Sequence, residues 1–340
     1  MIENKIVTGI MSYGMSGRVF HAPFIEVHPQ FQFHAIVERS KKVAQELYPH
    51  IISYDSIEEL LSDDAIELII VNTPNDTHVS FAAQALKAGK HVLIEKPFAP
   101  TVEEAYYLFQ LADEMGKQIL PFHNRRFDSD FLALKKVLEE EKVGRPIELH
   151  LRFDRYKPEI GVKVFKETKR PGAGIMYDLG SHLLDQAISL FGRPKSISKV
   201  KNTYRVNSLV DDYGMIMLNY ASGVNVYITT SLSVVDPQPS FVLHGTKGSF
   251  IKKRCDVQEA QLIDGMFPNN PLYGLENPAD EGRLAIANDQ DQVEYYTVPA
   301  IAGHYMGLFD EVYHAIRLNK PYFVERDHII WQLQVLEPSK

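Results

Sequence analysis

Cysteine, long apolar runs and surplus positive charge are all scarce in this sequence. The single cysteine, Cys255, excludes an intramolecular disulfide and any zinc or iron–sulfur site built on several cysteines. No apolar stretch approaches the roughly 20 residues needed to cross a bilayer. The net charge of −8 argues against non-specific nucleic-acid binding. The short apolar run near the N-terminus does not resemble a signal peptide, so we expect a cytoplasmic protein with no membrane or nucleic-acid partner.

The first part of the chain alternates short β-type runs with helical patterns. Capping boxes at Ser56–Glu59 and Thr101–Glu104 predict helix starts, and Gly89 and Gly116 stand where helices are expected to end. This alternation predicts a doubly wound parallel sheet of the Rossmann type. The predicted strands are Lys5–Met11, Phe31–Val37, Leu68–Val71, His91–Ile94 and Gln118–Leu120.

The pattern changes after Phe122. Apolar and polar residues alternate over Pro146–Asp154, which is typical of a strand with one face in solvent. We therefore predict two domains, 1–122 and 123–340, the second an α+β domain with a large, mainly antiparallel open sheet. Its other predicted elements are helices at Ser129–Glu141 and Leu179–Phe191, strands at Ile197–Tyr204, Tyr213–Tyr220, Val224–Leu232 and Phe241–Phe250, and a surface excursion over 264–292.

A glycine-containing loop follows the first predicted strand. Ser12–Gly17 matches two of the three glycines of the dinucleotide fingerprint G-x-G-x-x-G, because Ser12 stands at the first position. An ordinary strand-to-helix turn is the alternative. The position of the loop at the start of a helix favours phosphate binding.

Charged residues end two further strands. Glu38 would accept hydrogen bonds from the adenosine ribose and repel a 2′-phosphate, whereas Arg39 would pair with that phosphate. A solvated charge pair is the alternative, and on balance the sequence favours NAD, with NADP tolerated. Lys96 follows the strand His91–Ile94, at the edge where parallel sheets bind ligands, although an ordinary surface lysine also fits.

Five motifs occur in an order that resembles the glucose–fructose oxidoreductase/inositol dehydrogenase family (Gfo/Idh/MocA). A further segment, Phe153–Pro158, is similar to its scyllo-inositol dehydrogenase-like subgroup. The resemblance covers most of the chain and is weakest from about 255 to 300. The motifs are Ser12–Pro23, Asn72–His78, Ala88–Pro97, His123–Asp128 and Tyr177–His182.

The resemblance implies a Rossmann domain, a substrate domain whose open sheet often forms oligomer contacts, and hence a homodimer or homotetramer. It implies a catalytic set of Lys96, Asp178 and His182. Its implied residues for binding NAD or NADP are Ser12, Tyr13, Gly14, Met15, Ser16, Gly17, Glu38, Arg39, Thr73, Pro74, Asn75, His78, Glu95, Lys96 and Asn124. Arg125, Arg155 and Tyr156 are donors suited to a polyhydroxylated ligand, and we expect them to contact the substrate.

Asp178 and His182 are four residues apart at the start of a predicted helix and share a face, which Asp185 extends. A helix N-cap, an interior histidine or a metal-binding pair would also fit this spacing. The resemblance favours catalysis without a metal. His182 would then accept the hydroxyl proton, Lys96 would stabilise the alkoxide, and Asp178 would orient the substrate. For Arg125 and Arg126, an interdomain salt-bridge cluster is the alternative.

These residues predict hydride transfer between NAD(P) and a secondary hydroxyl of a small polyhydroxylated substrate, a sugar or a cyclitol. An NAD-dependent glycosidase on the same scaffold and a non-catalytic NAD(P)H sensor are the alternatives. A sensor has no need of the set Lys96, Asp178 and His182, which argues against that alternative.

Overall fold

The computed structural model describes residues 5–161 and 167–337, and these form two compact units. The first unit runs to His123 and also takes in Gln258–Tyr273 and Tyr305–Ile330. The second comprises Asn124–Val257, Gly274–His304 and the chain from Trp331 on. Because both units are discontinuous in sequence, the assignment of coenzyme and substrate binding to residues 1–122 and 123–340 stays a prediction.

The first unit contains, in its described residues, a six-stranded parallel sheet in the order β3-β2-β1-β4-β5-β6. All of β4 is buried and β5 nearly so, as expected for a sheet covered on both faces. The strand order reverses between β1 and β4, which confirms the doubly wound prediction. The strands are β1 (Ile6–Ile10), β2 (Phe31–Val37), β3 (Ile52–Tyr54), β4 (Leu68–Val71), β5 (His91–Ile94) and β6 (Ile119–Pro121).

The helix caps of this unit follow the sequence signals. The Ser56 and Thr101 side chains accept from the Glu59 and Glu104 amides at 3.1 and 3.2 Å. Gly89 and Gly116 have φ angles of 74° and 62°, in the left-handed region. The helices are α1 (Ala22–Val27), α2 (Ala44–Leu47), α3 (Ile57–Leu61), α4 (His78–Lys87), α5 (Val102–Glu114) and, after segments of the second unit, α8 (Gln258–Ile263) and α9 (Met306–Arg317).

The second unit contains, within the described ranges, an eight-stranded sheet in the order β14-β13-β12-β11-β7-β10-β9-β8. Only the neighbours β7 and β10 are parallel among these strands, so the mainly antiparallel prediction is confirmed. The strands are β7 (Pro146–Asp154), β8 (Ser196–Asn202), β9 (Tyr213–Asn219), β10 (Asn225–Ser231), β11 (Phe241–Gly245), β12 (Gly248–Lys252), β13 (Gly282–Ala287) and β14 (Val293–Val298).

One face of this sheet is covered by helices. Leu149, Leu151 and Phe153 of β7 are buried in one core with Leu134 of α6 (Ser129–Glu139) and Leu183 of α7 (Ser181–Phe191). The polar residues between them remain partly exposed, as the period-two pattern predicts. A last helix, α10, spans Arg326–Leu336.

Four details of the sequence prediction were wrong. The three-residue strand β3 was missed because Ile52 is its only aliphatic residue. Phe241–Phe250 forms two strands joined at Thr246 and Lys247 rather than one. The predicted excursion over 264–292 contains strand β13 and the buried Glu276. The helix predicted from Leu179 begins earlier, as a π-helical turn over Met176–Gly180 that continues into α7.

Candidate active site

The loop after β1 is tied back on itself through Ser12. The Gly14 amide donates to the Ser12 Oγ at 3.2 Å, and the Asn72 side chain donates to the Ser12 carbonyl oxygen at 2.8 Å. A Cβ added to Gly17 would lie 2.1 Å from that carbonyl oxygen, so only glycine fits there. Serine at the first fingerprint position therefore keeps a tight turn. The loop lies where the strand order reverses, and it fits the pyrophosphate of a nicotinamide coenzyme.

The carboxylate of Glu95 binds the far end of this loop. Ser16 Oγ donates to Glu95 Oε1 at 2.6 Å, and His21 Nε2 lies 3.0 Å from the same oxygen. Burial alone would raise the pKa of Glu95, but the hydrogen bonds and charges of His21, Ser16 and Lys96 hold it at about 2. Ionised Glu95 thus joins the loop Ser12–Gly17 to the end of β5. We call this loop the phosphate loop, after its predicted role.

Lys96 directly follows this carboxylate. Its backbone amide donates to Glu95 Oε2 at 3.2 Å, and a cis peptide bond joins it to Pro97. The side chain is half-buried at the carboxyl end of β5. This is the sheet edge at which doubly wound folds bind their ligands.

His78 links the segment after Lys96 to the loop after β4. Its ring is buried, with Nδ1 2.8 Å from the Pro97 carbonyl oxygen and Nε2 2.9 Å from the Thr73 carbonyl oxygen. Thr73 is half-buried, Pro74 is exposed, and Asn75 begins a short 3₁₀ turn. His78 therefore holds backbone segments together, and its contact with coenzyme stays a prediction.

The carboxylate of Glu38 is satisfied by the protein. Oε1 accepts from the Val43 and Ala44 amides at 2.9 and 3.1 Å, and Oε2 accepts from the Ser53 hydroxyl at 2.7 Å. Glu38 is buried, whereas Arg39 next to it is exposed. The predicted bond from Glu38 to the ribose would have to compete with these three donors.

Tyr13 and Met15 complete the predicted coenzyme residues of the first loop. Burial and the nearby charge of Glu38 raise the pKa of Tyr13. Met15 is exposed. Both side chains belong to the segment between β1 and the π-helical turn Gly17–His21 that precedes α1.

In the second unit, several predicted residues lie at one end of the sheet, where strands β7 and β10 finish. Because β7 and β10 are parallel, their last residues, Asp154 and Ser231, pair at the same end, and Tyr213 at the start of β9 pairs with Ser231. Arg155 and Tyr156 follow β7 at this end. The Arg155 guanidinium lies over the Phe153 ring, 5.0 Å from its centroid, and Tyr156 is exposed.

Asp178 and His182 lie on different helical segments. Asp178 is half-buried within the π-helical turn, and His182 is buried in the first turn of α7. The wider π turn changes the angular spacing that a regular helix would give this pair. Asp185, which the sequence places on the same stripe, binds Arg126 through two hydrogen bonds of 2.7 and 2.8 Å, and a role for it in the site stays a prediction.

Asn124, Arg125 and Arg126 form a short 3₁₀ turn before α6. Asn124 is buried. The Arg125 guanidinium lies 3.3 Å from Asp128 and 5.2 Å from the centre of the Phe153 ring. The pairing of Arg126 with Asp185 within the second unit supports a structural role for Arg126.

A residue that the sequence analysis did not single out, Asp211, contacts the start of the turn that carries Asp178. The Asp211 carbonyl oxygen accepts from the Ile175 amide at 2.9 Å, and its carboxylate accepts from the Met176 amide at 3.0 Å. The only signal in the sequence was an acidic pair, Asp211 and Asp212, just before a strand. Such a pair is typical of an ordinary turn, so the sequence did not indicate that Asp211 contacts the amides of Ile175 and Met176.

Neither a metal centre nor a membrane span is evident in residues 5–161 and 167–337. No group of three or more histidine, cysteine, aspartate or glutamate side chains in these ranges could hold a metal ion. No helix within them is long and apolar enough to cross a membrane.

Comparison with known proteins gives the same assignment as the motifs. Residues 6–123 match the model of an oxidoreductase family with an NAD-binding Rossmann fold, and residues 131–251 match the GFO/IDH/MocA C-terminal domain. The chain belongs to the GFO/IDH/MocA family of oxidoreductases. The resemblance seen in the sequence is confirmed, and the first of the two matched regions is an NAD(P)-binding domain.

Relatives in this family match the chain over nearly its whole length. An uncharacterized oxidoreductase of Schizosaccharomyces pombe is 37% identical over 98% of this chain and 96% of its own. The scyllo-inositol 2-dehydrogenase (NADP(+)) IolW of Bacillus subtilis is 32% identical over 99% of this chain and 93% of its own. The crystal structure of an oxidoreductase from Bacillus cereus superposes with a TM-score of 0.90 at 30% identity, covering 98% of this chain and 95% of that one.

Proposed function

We propose that this protein transfers a hydride between a nicotinamide coenzyme and a secondary hydroxyl or ketone of a cyclitol or sugar. The observation that carries the proposal is the placement of Lys96 at the end of β5, where Glu95 joins it to the phosphate loop. A lysine held there supplies positive charge to an oxygen that becomes negative during hydride transfer.

We assign two tasks to the side chains of this protein, which are to accept the hydroxyl proton and to stabilise the charge that develops on the oxygen. When bound, the nicotinamide ring supplies the acceptor or donor of the hydride. His182 accepts the hydroxyl proton, Lys96 stabilises the alkoxide, and Asp178 orients the hydroxyl and balances a protonated His182. Arg125, Arg155 and Tyr156 are proposed as donors to the other substrate hydroxyls, and Asn124 as a residue that positions the coenzyme.

For the coenzyme, the geometry of Glu38 changes the expectation. The preference for NAD rested on a carboxylate free to accept from the ribose, and that carboxylate already accepts from Val43, Ala44 and Ser53. Arg39 is exposed beside it and offers a planar fork for a 2′-phosphate. We therefore propose that NADP is used at least as well as NAD, in line with the NADP(+) in the name of the relative IolW.

The coenzyme proposal is tested by kcat/KM for both coenzymes. Arg39→Ala is expected to lower kcat/KM for NADP tenfold or more and to leave that for NAD within about twofold. Lys41→Ala, at an exposed position nearby, is the control. A wild type that uses NAD alone would show that Glu38 still decides the coenzyme.

The substrate proposal is tested by a screen of inositol isomers, aldoses and their lactones with both coenzymes. We expect a net absorbance change at 340 nm with free polyols. Turnover of glycosides without net formation of reduced coenzyme would instead support the glycosidase alternative. Tight coenzyme binding with no turnover of any substrate would support the sensor alternative.

We further propose that the protein forms a homodimer or homotetramer. Both edge strands of the large sheet expose apolar side chains, Ile197 and Val200 on β8 and Val293, Tyr295 and Tyr296 on β14. Exposed apolar area on a sheet favours association with another chain. Light scattering after gel filtration measures the mass, and a monomer at micromolar concentration would contradict this proposal.

A further inference from the structure

The turn that carries Asp178 is anchored to the rest of the second unit at its first residues. The Asp211 carbonyl oxygen and carboxylate accept from the Ile175 and Met176 amides, at 2.9 and 3.0 Å. The Gly174 carbonyl oxygen in turn accepts from the Asp178 amide at 3.0 Å. Two consecutive amides at the start of this turn, which have no partner inside the helix, are thus both satisfied by one aspartate.

Asp211 is itself held by the large sheet. The next residue, Asp212, is fully buried between strands, where its amide donates to the Asn202 carbonyl oxygen and its carbonyl oxygen accepts from the Leu232 amide. These contacts join the β8–β9 connection to the end of β10. The position of Asp211 is therefore fixed by strands rather than by a free loop.

Gly174 lets the carboxylate come close. Its φ angle is 96°, a value that side chains other than glycine rarely adopt, and an added Cβ would lie 2.3 Å from Asp211 Oδ1. Both the backbone conformation and the space require glycine. The turn and the Asp211 carboxylate are therefore closely packed at Gly174.

Met176 fixes the rotation of the same turn. Its side chain occupies a slot between two glycines, since a Cβ on Gly214 would lie 2.0 Å from its Sδ and a Cβ on Gly180 would lie 2.7 Å from its Cε. The Thr230 hydroxyl donates to the Met176 sulfur at 3.2 Å. Met176, two residues before Asp178, thus packs its side chain against β9 and β10.

We propose that Asp211 is a positioning residue, which with Gly174 and the Met176 slot sets the location of Asp178 for the reaction. This inference rests on the proposed function, because Asp178 has its assigned role only there. Asp211 acts through the backbone of the turn and does not touch the reacting atoms. A small displacement of such a turn lowers the rate of the chemical step more than it lowers binding.

The first test compares Asp211→Ala with Asp211→Asn. Asparagine keeps an oxygen that can accept from the Met176 amide, whereas alanine does not. We expect alanine to lower kcat tenfold or more on the polyol that the wild type oxidises, with the coenzyme KM within about twofold. Asparagine is expected to restore kcat to within about threefold of the wild type. Asp236→Ala, at an exposed position of the same unit, is the control and leaves kcat unchanged.

The second test examines the slot without changing Asp211. Gly214→Ala places a methyl group against the Met176 sulfur and is expected to lower kcat tenfold or more. Combining it with Met176→Ala vacates the slot, so the double variant is expected to recover part of the loss. Losses that multiply without recovery would contradict the assigned role of the slot. Coenzyme fluorescence and the thermal midpoint identify any variant that fails to fold.

Amide hydrogen exchange separates this proposal from the proposed function. Exchange over residues 174–182 is expected to rise in Asp211→Ala and to stay near the wild-type level in Asp211→Asn, whatever the substrate. If no polyol is oxidised but exchange behaves in this way, the proposed function fails and the anchoring stands. If the wild type is active but Asp211→Ala keeps its kcat, or asparagine is as inactive as alanine, the positioning role is wrong.

Discussion

Nε2 of His21 lies 3.0 Å from Oε1 of Glu95, and neither side chain is exposed by more than 12%. His21 ends the π-helical turn after the phosphate loop, and Glu95 precedes Lys96 at the end of β5. The pair therefore joins the phosphate loop to the proposed catalytic lysine through one buried carboxylate. Its ionisation contributes to stability as well as to geometry.

The first prediction concerns pH and stability. The pKa of Glu95 is lowered from an ordinary value to about 2, so its ionised form stabilises the fold above about pH 4.5 and this contribution is lost as the pH falls towards 2. The full contribution is about 3 kcal/mol. In urea unfolding, Glu95→Gln is expected to be less stable than the wild type at pH 7, and the difference should shrink by more than half at pH 3. Glu103→Gln, at an exposed position, is the control. A difference that does not change with pH would contradict the ionised pair.

The second prediction compares two glycines of the phosphate loop. Gly17→Ala puts a Cβ 2.1 Å from a backbone carbonyl oxygen, whereas the nearest atom to a Cβ on Gly14 is the Ser12 hydroxyl at 3.4 Å. We expect Gly17→Ala to cost about 1–3 kcal/mol, and so to lower the thermal midpoint of the coenzyme-free protein by several degrees. Gly14→Ala should keep the midpoint and lower only coenzyme affinity, because that glycine allows close approach of the pyrophosphate. Equal midpoints for both variants would show that the loop yields at Gly17.

The third prediction concerns a buried ion pair in the second unit. Lys252 Nζ lies 2.8 Å from Glu276 Oε2 and 2.8 Å from the Asp280 carbonyl oxygen, and both charged side chains are fully buried. Lys252→Met leaves the buried Glu276 carboxylate without its opposite charge and with only the Cys255 thiol, at 3.3 Å, as a donor, which costs about 3–5 kcal/mol. Changing Glu276→Leu as well should recover most of that loss. Thermal unfolding of the three proteins is the measurement, and a double variant as unstable as Lys252→Met would mean that the pair is not the source of the loss.

Strands with continuous or alternating apolar residues were predictable because their pattern directly reflects burial. The bounds of β2, β4 and β5 agree with the sequence to the residue, and the caps at Ser56 and Thr101 follow local hydrogen-bonding rules. The burial of Glu276 was not predictable, since its stabilising partner, Lys252, is 24 residues away. The surrounding glycine, proline, asparagine and aspartate residues have the composition of an exposed loop.

The contacts of single residues were not predictable where they depend on how neighbouring elements pack. Glu38 stands at the expected strand end, yet its carboxylate turns towards the amides of Val43 and Ala44 and the Ser53 hydroxyl. This choice depends on how α2 and β3 pack, which no motif encodes. The π turn that carries Asp178 likewise packs its Met176 side chain against Gly214 of β9, a contact between residues distant in sequence.

The fourth prediction concerns the proposed base. His182→Ala is expected to lower kcat by about 10²–10⁴-fold, the usual contribution of a general base, and to leave the coenzyme dissociation constant nearly unchanged. Steady-state kinetics and coenzyme fluorescence measure the two quantities. His314→Ala, at a half-buried position on α9, is the control. Near wild-type turnover in a folded His182→Ala variant would remove His182 from the mechanism.

The central claim is that Lys96 stabilises the oxygen that becomes negative during hydride transfer. The most direct measurement is the single-turnover rate of coenzyme reduction at 340 nm in Lys96→Met, with saturating polyol and coenzyme. We predict a rate lowered by about 10²–10³-fold, as for the loss of one oxyanion donor, with coenzyme affinity within about threefold of the wild type. An unchanged single-turnover rate with only a raised substrate KM would contradict the account and make Lys96 a binding residue.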